Sequence, residues 1–215
     1  GIFDNPGSGG IASVLKERNL TLDFQMNQEQ EGFGYNHEFC LARLLIELTE
    51  NGAENIDMIL ELIFSYLLMI QQTPIEEHQR LFEQDSKTIE TAFKFHVERS
   101  ALSNVRVSKD FLFYKDADVL RTSLTPTFNA EAITSVINSL NELRFNILIL
   151  TDKHEFTKKE KYFETEYDEE IFPETYKKLW QNRKLNNIFY LEKPNPFEAT
   201  NFEIFVNEEE SPVRL

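Results

Sequence analysis

The sequence predicts an α+β fold, a two-layer sandwich in which a mixed or antiparallel sheet carries helices on one face. Three observations lead there. A hydrophobic period of two is confined to two early segments, one short late run is apolar on both faces, and a period of three to four dominates the rest. All seven glycines lie between Gly1 and Gly52. Helix ends beyond that point must therefore be made by Pro, Asn and Asp.

Element by element, Pro6 to Gly10 reads Pro-Gly-Ser-Gly-Gly, a tight turn leading into a short helix that runs through about Glu17. Leu20, Leu22, Phe24 and Met26 then alternate with Thr21, Asp23, Gln25 and Asn27, giving a strand with one wet face. Gln28 to Asn36 is polar with two glycines, a loop. A second strand is expected from Glu38 to Leu48, its apolar face formed by Cys40, Ala42, Leu44, Ile46 and Leu48. From Ile56 the period changes: Ile56, Ile59, Leu60, Ile63, Phe64, Leu67 and Leu68 mark an amphipathic helix of about five turns. Thr73-Pro74-Ile75-Glu76 has the form of a capping box, and the helix it opens directs Leu81, Phe82, Ile89 and Phe93 inward. Residues 100–122 read as broken helix ended by Pro126. Asn129 caps a helix to Leu140, with Ile133, Val136, Ile137 and Leu140 inward. Phe145 to Leu150 reads as a buried strand, apolar on both faces. A helix near 173–182 and an extended tail close the chain.

Composition removes several function classes. With 215 residues, 41% of them apolar and 13% aromatic, the chain has the makings of one large folded domain, or a domain plus an extension. A formal net charge of −15 leaves nucleic acid and anionic membrane surfaces nothing to gain by counterion release. The longest apolar stretch, Ile56 to Ile70, is interrupted by Asp57, Glu61 and Ser65 and does not span a bilayer. Cys40, the single cysteine, fits a reducing compartment, and a cytoplasmic location is expected. The chain opens on Gly1, and two of its three clear strands precede Gly52. The expectation is a fragment or processed chain whose first strands lie upstream, an incomplete copy of its domain.

Residues suited to chemistry do not converge. His37, His78, His96 and His154 include no pair four apart, so no zinc helix motif exists; His37-Glu38 before a strand and Glu77-His78 on a helix are expected to be solvated or capping, the alternative being half of a site with a distant partner. Cys40 falls on an apolar strand face, where a thiol stays protonated. Glu164, Glu166, Asp168, Glu169 and Glu170, like Glu208 to Glu210, form charge runs of the kind that face solvent. No catalytic or metal-ligating residue is assigned. The turn at Gly7, Ser8, Gly9 and Gly10 can admit another backbone, an anion or a peptide carbonyl, or can be an ordinary helix entrance. Beside it, the strand from Thr21 to Asn27 offers an edge that can accept an added strand.

The most specific pattern lies late. Trp180-Gln181-Asn182, Leu185-Asn186, Phe189, Leu191, Asn195, Phe197 and Thr200-Asn201-Phe202 form one spaced series. It resembles the insulin-degrading enzyme (insulysin, pitrilysin-type inverzincin) family of zinc metallopeptidases, where the second homologous domain leads into the third. Tyr162-Phe163-Glu164-Thr165-Glu166-Tyr167 is similar to that family's Trp-Tyr-Gly-Thr-x-Tyr segment with Trp, Tyr and Gly replaced. Gly7-Ser8-Gly9 with Leu15-Lys16 resembles its glycine turn and helix, and Leu48 to Gly52 its strand-to-helix junction. Order and spacing agree over residues 4–215 apart from a short insertion around Gln28 to Asn36.

That resemblance implies a non-catalytic second domain over residues 1–185 and an extended linker into the third over 186–215. It implies no cofactor in this chain, and zinc on an H-x-x-E-H helix in the parent's first domain. It further implies that the parent degrades short peptides inside a closed chamber, with this segment anchoring the substrate's N-terminal end through Gly7, Gly9 and the edge Leu22, Phe24, Met26 and Asn27. Expected partners are peptide substrates and the remaining domains of the parent, and a homodimer of the parent stays open. Two positions depart from the family: its paired glycines on that strand fall near Met26 and Asn27, and its His-Glu falls near Asn5 and Pro6. The alternatives are a catalytically inactive homologue acting as a scaffold or peptide-interaction module, and a stand-alone anion-binding module.

Overall fold

The computed structural model describes residues 3, 7–28, 41–95, 105, 107–108, 110–116, 118–121, 124, 127–196 and 201. The elements are α1 (Ile11–Glu17), β1 (Thr21–Gln28), β2 (Ala42–Leu48), α2 (Glu50–Glu54), α3 (Ile56–Gln72), α4 (Ile75–Lys94), α5 (Ala130–Leu140), β3 (Lys158–Lys159), β4 (Glu166–Tyr167) and α6 (Glu174–Gln181). The class is α+β, as the periodicity predicts.

The organising element is α3. It buries Ile59, Leu60, Leu62, Ile63, Phe64, Ser65, Tyr66, Leu67 and Ile70, so apolar contact surrounds it on nearly every side. Phe64 and Tyr66 stand about 200° apart on the helix and bind different neighbours. Phe64 meets Trp180 edge-on at 5.0 Å and Phe145 at 5.5 Å, and Phe145 reaches Phe172 at 5.3 Å. Tyr66 meets Phe189 at 5.2 Å and Phe3 at 5.8 Å. Such ring pairs contribute about 0.5–1.5 kcal/mol each beyond the area they bury. Ile11, Val14 and Leu15 of α1, with Leu20 and Phe24, complete the core. No single helix among the described residues is long and apolar enough to cross a membrane, and α4 leaves α3 at a break of 97°.

β1 and β2 form an antiparallel pair, running from Thr21 opposite Leu48 to Gln28 opposite Ala42. The alternation read from the sequence fails at its start. The register slips between Thr21 and Asp23, leaving Leu22 unpaired. The bulge turns Leu22 outward to 60% exposure and buries Thr21, the reverse of the expected faces. The Thr21 hydroxyl fixes it, directed at the carbonyls of Asp23 at 2.5 Å and Glu47 at 2.7 Å. Beyond the bulge the expected pattern holds: Phe24 is buried, and Met26, Leu44, Ile46 and Leu48 pack against the core. The first part of the expected second strand, with Cys40 and, just before it, His37, lies outside the described residues, as do His96 and residues 100–104, 106, 109, 117 and 122.

The junction after β2 is tightly built. Thr49 caps α2, its hydroxyl oxygen accepting from the Gly52 amide at 2.9 Å. Its own hydroxyl donates to the Asn19 carbonyl at 2.7 Å, and its amide to the Leu20 carbonyl at 3.2 Å. A Cβ on Gly52 would collide with that Leu20 carbonyl oxygen, so only glycine fits.

Several other expectations change. Thr73 does not open α4: its hydroxyl donates back to Met69 O at 2.8 Å, closing α3, and Pro74 precedes α4 without a side-chain cap. A threonine between two helices can serve either, and here its hydroxyl is taken by the α3 carbonyl. Phe93 and Val136 are exposed, because α4 and α5 meet the core only along narrow strips. Asn129 does cap α5, accepting from the Ala132 amide at 3.0 Å. Phe145 to Leu150 is not a strand. It has no ladder partner among the described residues, and only Phe145 and Ile147 pack against the core while Leu148 is 83% and Leu150 84% exposed.

Candidate functional site

The two features singled out by the sequence flank α1. The glycine turn closes with the Gly10 amide donating to Gly7 O at 2.8 Å and leads directly into the helix. At the other end Leu20 N donates to Leu15 O at 3.0 Å, and Asn19 takes a left-handed φ of 54° that reverses the chain into β1. Lys16 and Asp23 form an exposed ion pair at 4.0 Å between helix and strand, which contributes little in solvent.

The six residues named from the sequence divide into two groups. Leu22, Phe24, Met26 and Asn27 all sit on β1, whose one ladder among the described residues is with β2. Its other edge therefore carries backbone groups that ladder does not use. Phe24 is buried and Met26 half-buried, so they offer only main chain to a ligand, whereas Leu22 offers a side chain as well. Asn27 pairs through its backbone with Arg43. Gly7 and Gly9 form the second group, in the turn.

The turn is already covered on one side. The ring of Tyr190 lies on Gly9, where an added Cβ would sit 2.5 Å from its Cγ. The Tyr190 amide donates to Gly9 O at 3.2 Å, and the Ser8 and Tyr190 hydroxyls hydrogen-bond. The backbone that glycine admits here thus belongs to the same chain. The segment bringing it is firmly held: Ser65 Oγ donates to Lys184 O at 2.7 Å, Phe189 is buried against Tyr66, and Arg80 donates to Glu192 O at 2.7 Å. Sequence reasoning missed Tyr190, which lies between two residues of the spaced late pattern without belonging to it.

Among the described residues no group of three or more His, Cys, Asp or Glu side chains could hold an ion. Of the two roles expected for His78, solvated or capping, the structure shows the second: the side chain is buried on α4 with Nε2 3.1 Å from Ile70 O, a carbonyl in the last turn of α3. His154 is held by Asp168 at 3.0 Å. The donor set among the described residues does not fit zinc, which needs three or four converging ligands.

A small hairpin, unforeseen from the sequence, joins β3 to β4. The Glu160 carboxylate accepts the amides of Tyr162 and Phe163, each at 2.6 Å, and turns both rings into solvent. Glu164 has φ 58°, the conformation glycine would adopt freely, at the position where the resemblance expects glycine. Asp168 closes the base, accepting from the Thr157 hydroxyl at 2.5 Å and amide at 3.1 Å. Thr157 first and His154 second hold the Asp168 carboxyl below its ordinary pKa of 3.8.

Comparison with known proteins follows the same lines. Human nardilysin is 27% identical, over all of this chain and 19% of its own length. Human insulin-degrading enzyme is 27% identical over 98% of this chain and 20% of its own length. The crystal structure of pitrilysin shares the fold with a TM-score of 0.79 at 16% identity, covering 97% of this chain and 22% of that one. The chain thus spans about a fifth of the length of these relatives. Residues 93–215 match the family model described as the middle or third domain of the M16 peptidases, a match that covers both sides of the boundary expected at residue 186. With more than half of its residues in that match, the chain belongs to the M16 peptidase family.

Proposed function

We propose that this chain is the non-catalytic, substrate-anchoring portion of a zinc metalloendopeptidase that degrades short peptides inside a closed chamber. Residues 1–185 form its second domain and 186–215 the linker into the third. Zinc resides in the parent's first domain, and the parent acts in the cytoplasm. The observation that carries the reading is β1: a strand laddered, among the described residues, on one edge, with a bulge at Leu22, beside a turn in which Gly9 has another part of the chain packed where a Cβ would stand. An extended peptide adds to such an edge by main-chain hydrogen bonds. Gly7 and Gly9 then meet its N-terminal end, and Leu22, Phe24, Met26 and Asn27 its backbone.

The test is a titration of the 215-residue chain with a basic, unstructured peptide carrying a C-terminal fluorophore. Binding that weakens on N-acetylation, and again on backbone N-methylation, is the expected result. Indifference to both modifications overturns strand addition. The chain alone should cleave no fluorogenic peptide, and chelator-sensitive cleavage would contradict its non-catalytic role.

One observation favours a second reading, a scaffold or interaction module from an inactive homologue. Tyr162 and Phe163 are held out on a rigid turn, the arrangement of a docking contact. An H-x-x-E-H motif in the parent's first domain decides for the enzyme, and its loss for the scaffold.

A further inference from the structure

We infer that the Tyr190 side chain is a gate on the glycine turn, occupying the ground a peptide needs and leaving it by rotation about its own side-chain bonds. This rests on the anchoring reading above. Three contacts close the gate: the ring on Gly9, the Tyr190 amide on Gly9 O, and the hydroxyl pair with Ser8. They differ in how they can open. The backbone contact is fixed, because Phe189 is buried beside it and Glu192 O is held by Arg80 at 2.7 Å. The ring is not fixed in that way. Tyr190 is 45% exposed, and its hydroxyl contact is with the exposed Ser8.

The amide contact also explains why the turn can stay shaped when the ring leaves. Gly9 O remains bound to the Tyr190 N–H, so opening uncovers the Gly9 Cα without unfolding the turn. A peptide backbone then lies where the ring lay, against a residue with no side chain to obstruct it. The chain's apparent affinity is its intrinsic affinity scaled by the fraction of molecules with the ring out. An aromatic ring on glycine is thus at once a cover for the turn and a competitor for it.

The experiment measures anisotropy of the same basic fluorescent peptide on the 215-residue chain and on Tyr190→Ala and Tyr190→Phe, with thermal melts establishing that each variant is folded. The gate predicts binding tighter by roughly five-fold or more for Tyr190→Ala. Tyr190→Phe, which keeps the ring and loses the Ser8 contact, should fall between Tyr190→Ala and the unmodified chain. Equal binding by all three overturns the gate and leaves anchoring intact. Weaker binding by Tyr190→Ala makes the ring part of the anchor and also overturns the gate. Peptide bound by none of them overturns the anchoring reading, and the gate with it.

Discussion

Residues 11–24 and 180–189 join one core with α3, while much of the chain between them stays at the surface. Ile11, Leu15, Leu20 and Phe24 from one segment and Trp180 and Phe189 from the other are buried against the same helix. Between them, Phe111, Leu112, Phe113, Leu148, Leu150, Tyr162, Phe163 and Ile171 are exposed although they are just as apolar. Composition is therefore a poor guide to where this protein is held together. What separates the regions is partners: the first closes aromatic pairs through α3, and the second presents rings and aliphatic chains without a covering surface among the described residues.

The sharpest way to break this comparison is truncation on both sides of it. Trp180→Ala removes the ring that packs on both Phe64 and Phe145 and should cost about 3–5 kcal/mol by chemical denaturation. Leu148→Ala should stay within about 0.5 kcal/mol. Comparable losses would mean the middle is packed after all. Next in size is Gly52→Ala, whose methyl meets the Leu20 carbonyl and should cost about 1–3 kcal/mol, seen as a lower melting temperature. Glu164→Gly acts in the other direction. It relieves a left-handed residue at the expense of an exposed ion pair to Lys159, so melting should rise by an amount worth up to about 1 kcal/mol.

The smallest effect is local and set by pH. Because the folded Asp168 carboxyl titrates below its ordinary value, its bonds to Thr157 contribute fully above about pH 4. They are lost as pH falls through that depressed value. The Thr157 amide resonance should move there while Trp180 fluorescence stays constant, and Asp168→Asn should abolish the movement. A coincident change at Trp180 would join the two regions that the comparison separates.

The sequence made α1, α3, α5, α6 and the Asn129 cap legible, because helical period and capping act within a few residues. It did not reveal the bulge at Leu22, since a two-residue period carries no mark of a one-residue slip. Phe145 to Leu150 has strand composition, but a strand needs a second strand, which no local pattern supplies. The candidate site was half legible. Glycines announce a close approach, yet not by whom, and Tyr190 is far from Gly9 in sequence.

Hydrogen exchange of the 215-residue chain with and without saturating basic peptide tests the anchoring role most directly. Amides of β1 should slow on binding, together with those of the turn at Gly7 to Gly10. Slowing confined to the Tyr162–Phe163 turn, or exchange in β1 unchanged by bound peptide, would contradict it.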